Sequence, residues 1–423
     1  MKRMTVRRGC AALALLLGAA ARAQDDYPAL LPPEPAVRAA LDRTPEVRAA
    51  RARIDFDSAE SRRLRTGAHE WVARATVQRR TEADGLRYRE QGVALERPVR
   101  WFGKAGKDGA LADQQLQVAQ FAYADAWHEA GRAFLRLWFD AIREARAAAL
   151  LQEQVKLLEQ QAGIAAKRVK AGDAPRMDMM LAETERDRLL AVQQQAMQRA
   201  ERTRLELDSR YPGLPLAMPA QVPAPNADAT GIEQWVQRIV SENHEIELAD
   251  AQAAFARLAA QRRSLERTPD PTVGVHMMQE RDRQEKIVGV TVSIPLPGAV
   301  RAAQADASAA EAAVVAEKAQ GVRFRVQREA AAAAMSARAA YDNWASLARL
   351  AQRSRDTAAL LSKAYSLGEV TIGEALLARR QSLEAEASAE AAQVEALQAR
   401  AALMLDAHLF WEAQEDAPTQ SRP

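Results

Sequence analysis

A single cysteine, Cys10, is all the thiol chemistry this 423-residue chain possesses. It falls in the first 23 residues, MKRMTVRRGCAALALLLGAAARA, which read as a secretory signal peptide. Lys2, Arg3, Arg7 and Arg8 form a basic start, residues 10–21 a short apolar stretch, and Ala21-Arg22-Ala23 a small-residue cleavage site before Gln24. The expected mature chain thus has no disulfide and no cysteine-based metal site, and must be held by packing or assembly. Aromatic residues are scarce at 5%, too few for several conventional globular cores. No apolar run approaches the ~18–20 residues of a spanning helix, which excludes a polytopic helical membrane protein. Charge of one sign is lacking too. The balance of +3 comes from five basic residues in the leader, and without them it falls just below zero. That gives no electrostatic footprint for nucleic acid. A Gly-rich phosphate loop, a nucleophile elbow and a paired metal-ligand cluster are all missing, so no catalytic, cofactor or metal site is expected. The five histidines, His69, His128, His244, His276 and His408, are dispersed along the chain and suggest structural or surface roles.

What the chain does have is alanine, about a fifth of all residues, with charged residues around it. That mixture marks long helices and coiled coils. It also has a repeat. Thr44-Pro45-Glu46-Val47 corresponds to Asn243-His244-Glu245-Ile246, each opening a helical stretch that ends in a basic pair, Arg62-Arg63 and Arg262-Arg263. Alternating segments follow, closed by Pro98 in the first half and Pro295 in the second. Val288, Val290, Val292, Ile294 and Leu296 share one face, opposite Gly289, Thr291 and Ser293. Val273, Val275 and Met277 form the partner strand across a turn at residues 281–286. The first half shows Trp71, Ala73, Ala75 and Val77, then a return through Val93 and Leu95. Period two with one apolar face predicts half-buried strands. Strands of about ten residues suit a tilted membrane strand, and two soluble hairpins packed on helices fit the periodicity equally well.

Proline-free runs follow each hairpin, at 104–170 and 299–367. Each would reach on the order of 100 Å as one helix. Seams at Leu151, Val155, Leu158, Ala162 and Val169, and at Leu347, Leu350, Ala358, Leu361 and Tyr365, resemble coiled-coil contacts. Helices at 34–66 and 173–210 are each about half as long, so an end-to-end pair matches one long helix. The predicted organisation is a signal peptide (1–23), a first repeat (24–210; hairpin 69–98, helices 104–170 and 173–210) and a proline-rich linker (211–230). A second repeat (231–412; hairpin 271–296, helices 299–367 and 371–412) and a flexible tail (413–423) complete it. Phe134, Leu135, Trp138, Phe139 and Ile142 make an aromatic-rich stripe read as core or inter-protomer packing.

On these residues the chain resembles the TolC-like outer membrane efflux proteins over nearly its whole mature length. The most specific match is residues 364–378, AYSLGEVTIGEALLA, which resembles the family's second helix-tip motif. Residues 172–182 resemble the first tip, and residues 288–298, VGVTVSIPLPG, resemble the strand-to-helix junction of the CzcC-like heavy-metal branch. The resemblance implies a mainly α fold with membrane β. Each homotrimer would form a helical coiled-coil barrel and a twelve-stranded β-barrel, four strands per protomer, in the outer membrane of a Gram-negative cell. It implies no enzyme activity and no cofactor. The implied partners are outer membrane lipid, a periplasmic adaptor and an inner-membrane pump of the RND type. Heavy-metal cations are the implied cargo, organic toxins the alternative. A periplasmic adaptor or coiled-coil scaffold would not need two full repeats with amphipathic strands.

The resemblance places Asp178 as the bonding partner of Tyr365 and Glu374 in an acidic ring, the three forming a periplasmic gate. Gly172 and Gly368 mark the tip turns, Pro98 and Pro295 the junctions. Val370 and Leu377 stand where the prototype carries a gate arginine and a second aspartate, which implies fewer charged ties. The same residues have local readings: Thr371-x-x-Glu374 is a capping box, and glycine suits a helix C-terminus. Met177, Met179 and Met180 beside Asp178 suit adaptable packing, with soft-metal binding as the lesser alternative.

Overall fold

The computed structural model describes residues 30–219 and 221–411. The signal segment with Cys10 and the tail 413–423 lie outside the described residues. The element order is α1 (Glu34–Leu41), α2 (Pro45–Thr66), β1 (Val72–Thr81), β2 (Arg87–Pro98), α3 (Lys104–Ala171) and α4 (Arg176–Arg210). The second half follows with α5 (Ile232–Ser241), α6 (His244–Ser264), β3 (Thr272–Glu280), β4 (Glu285–Ser293), α7 (Ala299–Leu367) and α8 (Ile372–Asp406).

The single helix expected over 34–66 is two. Pro45 lacks the N–H that would continue α1, so it opens α2 instead, and the Thr44 hydroxyl closes the break by donating to the Leu41 carbonyl at 2.7 Å. The last helix stops at Asp406 rather than 412, and β4 takes in the last two residues of the expected turn, Glu285 and Lys286. Pro98 is the final residue of β2, whereas Pro295 lies two residues beyond β4.

α3 and α7 are continuous over 68 and 69 residues, on the order of 100 Å each. α2 and α4 both pack along α3, and α6 and α8 along α7. The largest core cluster sits midway, where Trp127, Phe134, Leu135, Trp138, Phe139 and Ile142 of α3 meet Leu41, Leu207, Tyr211, Leu405 and Trp411. This is the aromatic stripe, and it is core. The Trp138 indole donates to the Leu30 carbonyl at 3.0 Å, so its one polar atom is satisfied.

The two hairpins join. They form one antiparallel sheet in the order β1-β2-β3-β4, with Leu95 opposite Ala73 on one side and Val275 on the other. Val275 in turn pairs with Val290. One face of this sheet carries Val77 (82% exposed), Val288 (77%) and Val290 (76%) together with Val93, Leu95, Val275 and Met277. The opposite face is ionic. Glu90 is fully buried there, 2.7 Å from Arg80, which also reaches Glu280 at 2.7 Å, while Gln78 donates to Glu90 at 2.7 Å. A hairpin pair packed on helices would bury the apolar face. This sheet does the reverse, and both of its edges, β1 and β4, have one neighbour each within the chain. Among the described residues no helix is long and apolar enough to cross a membrane.

Candidate functional site at the two ends of the long helices

At one end each hairpin passes into a long helix. β2 leads through Trp101 and Phe102 to Lys104, whose ammonium is fully buried. A buried cation needs partners. It has Asp270 at 2.9 Å and Glu266 at 3.2 Å, carboxylates contributed by the second repeat. Asp270 also accepts the Trp101 backbone N–H at 2.8 Å and lies 3.3 Å from His69 Nε2. Glu266 is paired with Arg262, which bonds Asp108, and Asp108 is 3.2 Å from Arg100. Burial alone would raise the Glu266 and Asp270 carboxyls. Hydrogen bonds from Arg262 and Lys104 to the first, and from Lys104 and Trp101 to the second, outweigh it and hold both below their ordinary range. The network ties the start of α3 to the end of α6 beneath the sheet. Gly67 fits only as glycine here: its φ is +77°, and a Cβ would come within 2.3 Å of the Arg100 guanidinium. Sequence reading caught the prolines of this junction and missed its ions. Their only advance signal is a dense run of opposite charges.

At the other end are the helix tips. α3 and α7 both end at glycines in the left-handed region, Gly172 at φ +81° and Gly368 at φ +82°. Each glycine N–H closes back onto the last helical turn, at Val169 and Tyr365. The turns place Tyr365, in the last turn of α7, against Asp178, in the first turn of α4. The phenol donates to Asp178 Oδ2 at 3.2 Å. Tyr365 is buried and Asp178 half-buried. Burial raises the phenol's pKa first, and the neighbouring Asp178 charge raises it further, opposed by Arg168.

Arg168 is the residue sequence reading missed. From the last turn of α3 its guanidinium lies 4.9 Å over the Tyr365 ring, donates to the Tyr365 carbonyl, and donates to the Asp173 carbonyl at 3.1 Å. One arginine therefore clamps both tip turns. The repeat supplied no signal for it, since a basic residue in a last helical turn is ordinary. Further along, Arg380 of α8 grips Glu185 of α4 at 3.1 and 2.8 Å, a second tie between the repeats.

Glu374 is not part of this cluster. It is exposed and bonded to Thr371, accepting the backbone N–H and the hydroxyl at 2.8 Å each, while Thr371 Oγ1 accepts the Glu374 N–H. Both arms of the capping box are formed. The bond from the Thr371 N–H, then that from its hydroxyl, lowers the Glu374 carboxyl below its ordinary value. Met177 and Met180 are exposed beside Asp178. Among the described residues no group of three His, Cys, Asp or Glu side chains is arranged to hold a metal ion. The histidines, dispersed in sequence, are partly gathered in space: His128, His244 and His408 meet near the core cluster.

No family model matches the sequence, and no curated protein does. Solved structures do. A membrane protein from Pseudomonas aeruginosa aligns over 88% of this chain and 89% of its own at 17% identity, with TM-score 0.75. The CmeC outer membrane channel of Campylobacter jejuni aligns over 88% and 84% at 11% identity, TM-score 0.73. The MtrE outer membrane channel of Neisseria gonorrhoeae, in its open state, aligns over 88% of both chains at 16% identity, TM-score 0.71. Identity this low over coverage this complete is a statement about architecture, and the chain has the fold of the TolC-like outer membrane channels.

Proposed function

We propose that this chain is one protomer of an outer membrane efflux duct. The observation that carries the reading is the sheet: apolar outside, ionic inside, with two edges to pair, set at one end of helices on the order of 100 Å long. Membrane strands must close so that every backbone group is bonded. β1 and β4 run antiparallel, so β4 of one copy can continue onto β1 of the next. Three copies give twelve strands around a polar lumen lined by the Arg80–Glu90–Glu280 ladder. The long helices then prolong that lumen away from the membrane as a tunnel.

Cargo enters in this reading from an inner-membrane pump of the RND type through a periplasmic adaptor. Heavy-metal cations are the cargo class we propose, supported by the CzcC-like segment 288–298. The protein performs no chemistry on what it passes. The tips are its gate: Tyr365, Asp178 and Arg168 tie α7, α4 and α3 where the tunnel must open, and exposed Glu374 contributes negative charge at the mouth. With Val370 and Leu377 beside it, the ring of charge is single, which sets a modest cation preference.

Three experiments test this. In cell fractionation the protein should sediment with the outer membrane and migrate in a heat-dependent way on gels; recovery of folded protein from the soluble periplasm would reject the duct. In planar bilayers Asp178→Ala with Glu374→Ala should raise single-channel conductance and reduce cation preference; no change in either would remove these residues from the gate. A deletion strain should become sensitive to zinc, cobalt, cadmium or copper, and sensitivity confined to hydrophobic drugs would replace the metal cargo with organic toxins.

A further inference from the structure

His128 on α3, His244 at the first residue of α6 and His408 two residues past α8 belong to three separate stretches of sequence and pack ring on ring. The His128 and His408 centroids are 5.1 Å apart and nearly parallel, at 28°. His244 meets His408 edge-on at 4.6 Å and His128 at 6.0 Å. The charged groups that bear on them come from α3, α6 and α8. α3 supplies Asp125, Glu129 and Arg132, α6 supplies Glu247, and α8 supplies Asp406. His128 Nε2 lies 3.4 Å from Asp406 Oδ1, which also accepts Arg132 Nε at 2.7 Å. His244 Nδ1 lies 3.1 Å from Glu247.

The cluster fastens a strained segment. His408 and Trp411 have φ of +53° and +55°, a region that side-chain-bearing residues rarely adopt. The segment holds that shape because Ala407 and Trp411 are buried, Trp411 against Phe134 at 5.4 Å, and because the Ala407, His408 and Leu409 N–H groups bond back to Leu403, Leu405 and Met404. Neutral imidazoles can stack at these distances. Imidazolium rings about 5 Å apart repel, and burial opposes their charge.

We propose that His128, His244 and His408 form a proton-sensitive clasp, which holds the segment from Ala407 to Trp411 on α3 and α6 while His408 is neutral and releases it when His408 takes up a proton. The sign follows from His408. Burial first, then the His128 and His244 rings and Arg132, lower its pKa from 6.5 to about 4, with Asp406 opposing. A released His408 titrates near 6.5 and binds a proton the packed ring refuses, so the packed form is favoured in full above about pH 6.5 and loses ground as pH falls towards 4. Among the described residues no three His, Cys, Asp or Glu groups are placed as metal ligands. Release would unpin the far end of α8, the helix whose first turn carries Glu374. The clasp itself does not depend on what the duct carries.

Hydrogen exchange of the full chain in detergent, read by mass spectrometry and normalised for the intrinsic pH dependence of exchange, tests it. Protection of the amides of residues 407–409 should fall by about tenfold or more between pH 7 and pH 5, while amides in the middle of α3 stay protected. His408→Gln should reduce that change to less than about twofold, and His128→Gln gives a second variant should the first fold poorly. Protection unchanged between pH 7 and pH 5 would overturn the clasp, as would the same loss persisting in His408→Gln. Protection that responds to added zinc at pH 7 and ignores acid would assign the rings to metal instead.

Discussion

α3 and α7 match in length, in the glycine that ends each, and in having two shorter helices stacked along them. They differ in what they bury. α3 buries Trp127, Phe134, Leu135, Trp138, Phe139 and Ile142, with neighbours α2, α4, α6 and α8 around it. α7 buries alanines, Val326 and Tyr365, and leaves Val300, Val314, Phe324, Met335, Leu350, Leu360 and Leu367 exposed. One repeat template has thus become two things: a spine that finds its core inside the chain, and a wall with one side unfinished. The alanines on the finished side allow α6 and α8 to approach closely; the larger residues on the other side call for a cover the single chain does not supply. The sheet repeats the lesson at its edges.

The comparison can be broken from either side. Trp138→Ala should be the most damaging change, costing about 3–5 kcal/mol by removing a large side chain from a packed core; denaturant unfolding checks it, and a loss as small as that of a surface substitution would mean α3 is not the spine. Val290→Arg places a charge on the apolar face of the sheet and should cost about 2–4 kcal/mol of membrane insertion, read as a drop in the folded fraction in lipid vesicles; full folding would turn that face away from lipid. Phe324→Ser should leave the single chain folded, as measured by circular dichroism, while weakening assembly by about 1.5–3 kcal/mol per contact, read by analytical ultracentrifugation. Unaltered assembly would mean the wall faces solvent. Tyr365→Phe, the mildest, removes one hydrogen bond of about 0.5–1.5 kcal/mol at the tip and should raise open probability without altering assembly.

The long helices were legible because proline is absent from both runs and glycine ends them. The strands were legible as faces, since Val288, Val290 and Val292 alternate. Their joining was not: period two says which side of a strand is apolar, not which strand lies beside it, so nothing in residues 87–98 announces Thr272 opposite Pro98. The break at Pro45 was visible in hindsight as an N-terminal proline and was overridden by the helical pattern around it. The contact of Tyr365 with Asp178 came through a family resemblance rather than from the residues, and Arg168 came through neither. Side chains that meet only after folding, such as Lys104 with Asp270 or the three histidines, leave no periodic trace for sequence reading to find.

The central claim is that this chain is completed by copies of itself, β4 of one pairing with β1 of the next. Single cysteines at residues 75 and 77 of β1, each combined with one at 288, 290 or 292 of β4, test it most directly, since Cys10 falls within the expected signal segment. In one chain β1 and β4 are separated by β2 and β3, roughly 14 Å apart at about 4.8 Å per strand, too far for a disulfide. The account predicts that mild oxidation of the membrane-bound protein yields covalent dimers and trimers for at least one pair in register. Folded, membrane-inserted protein that stays monomeric for every pair would contradict it.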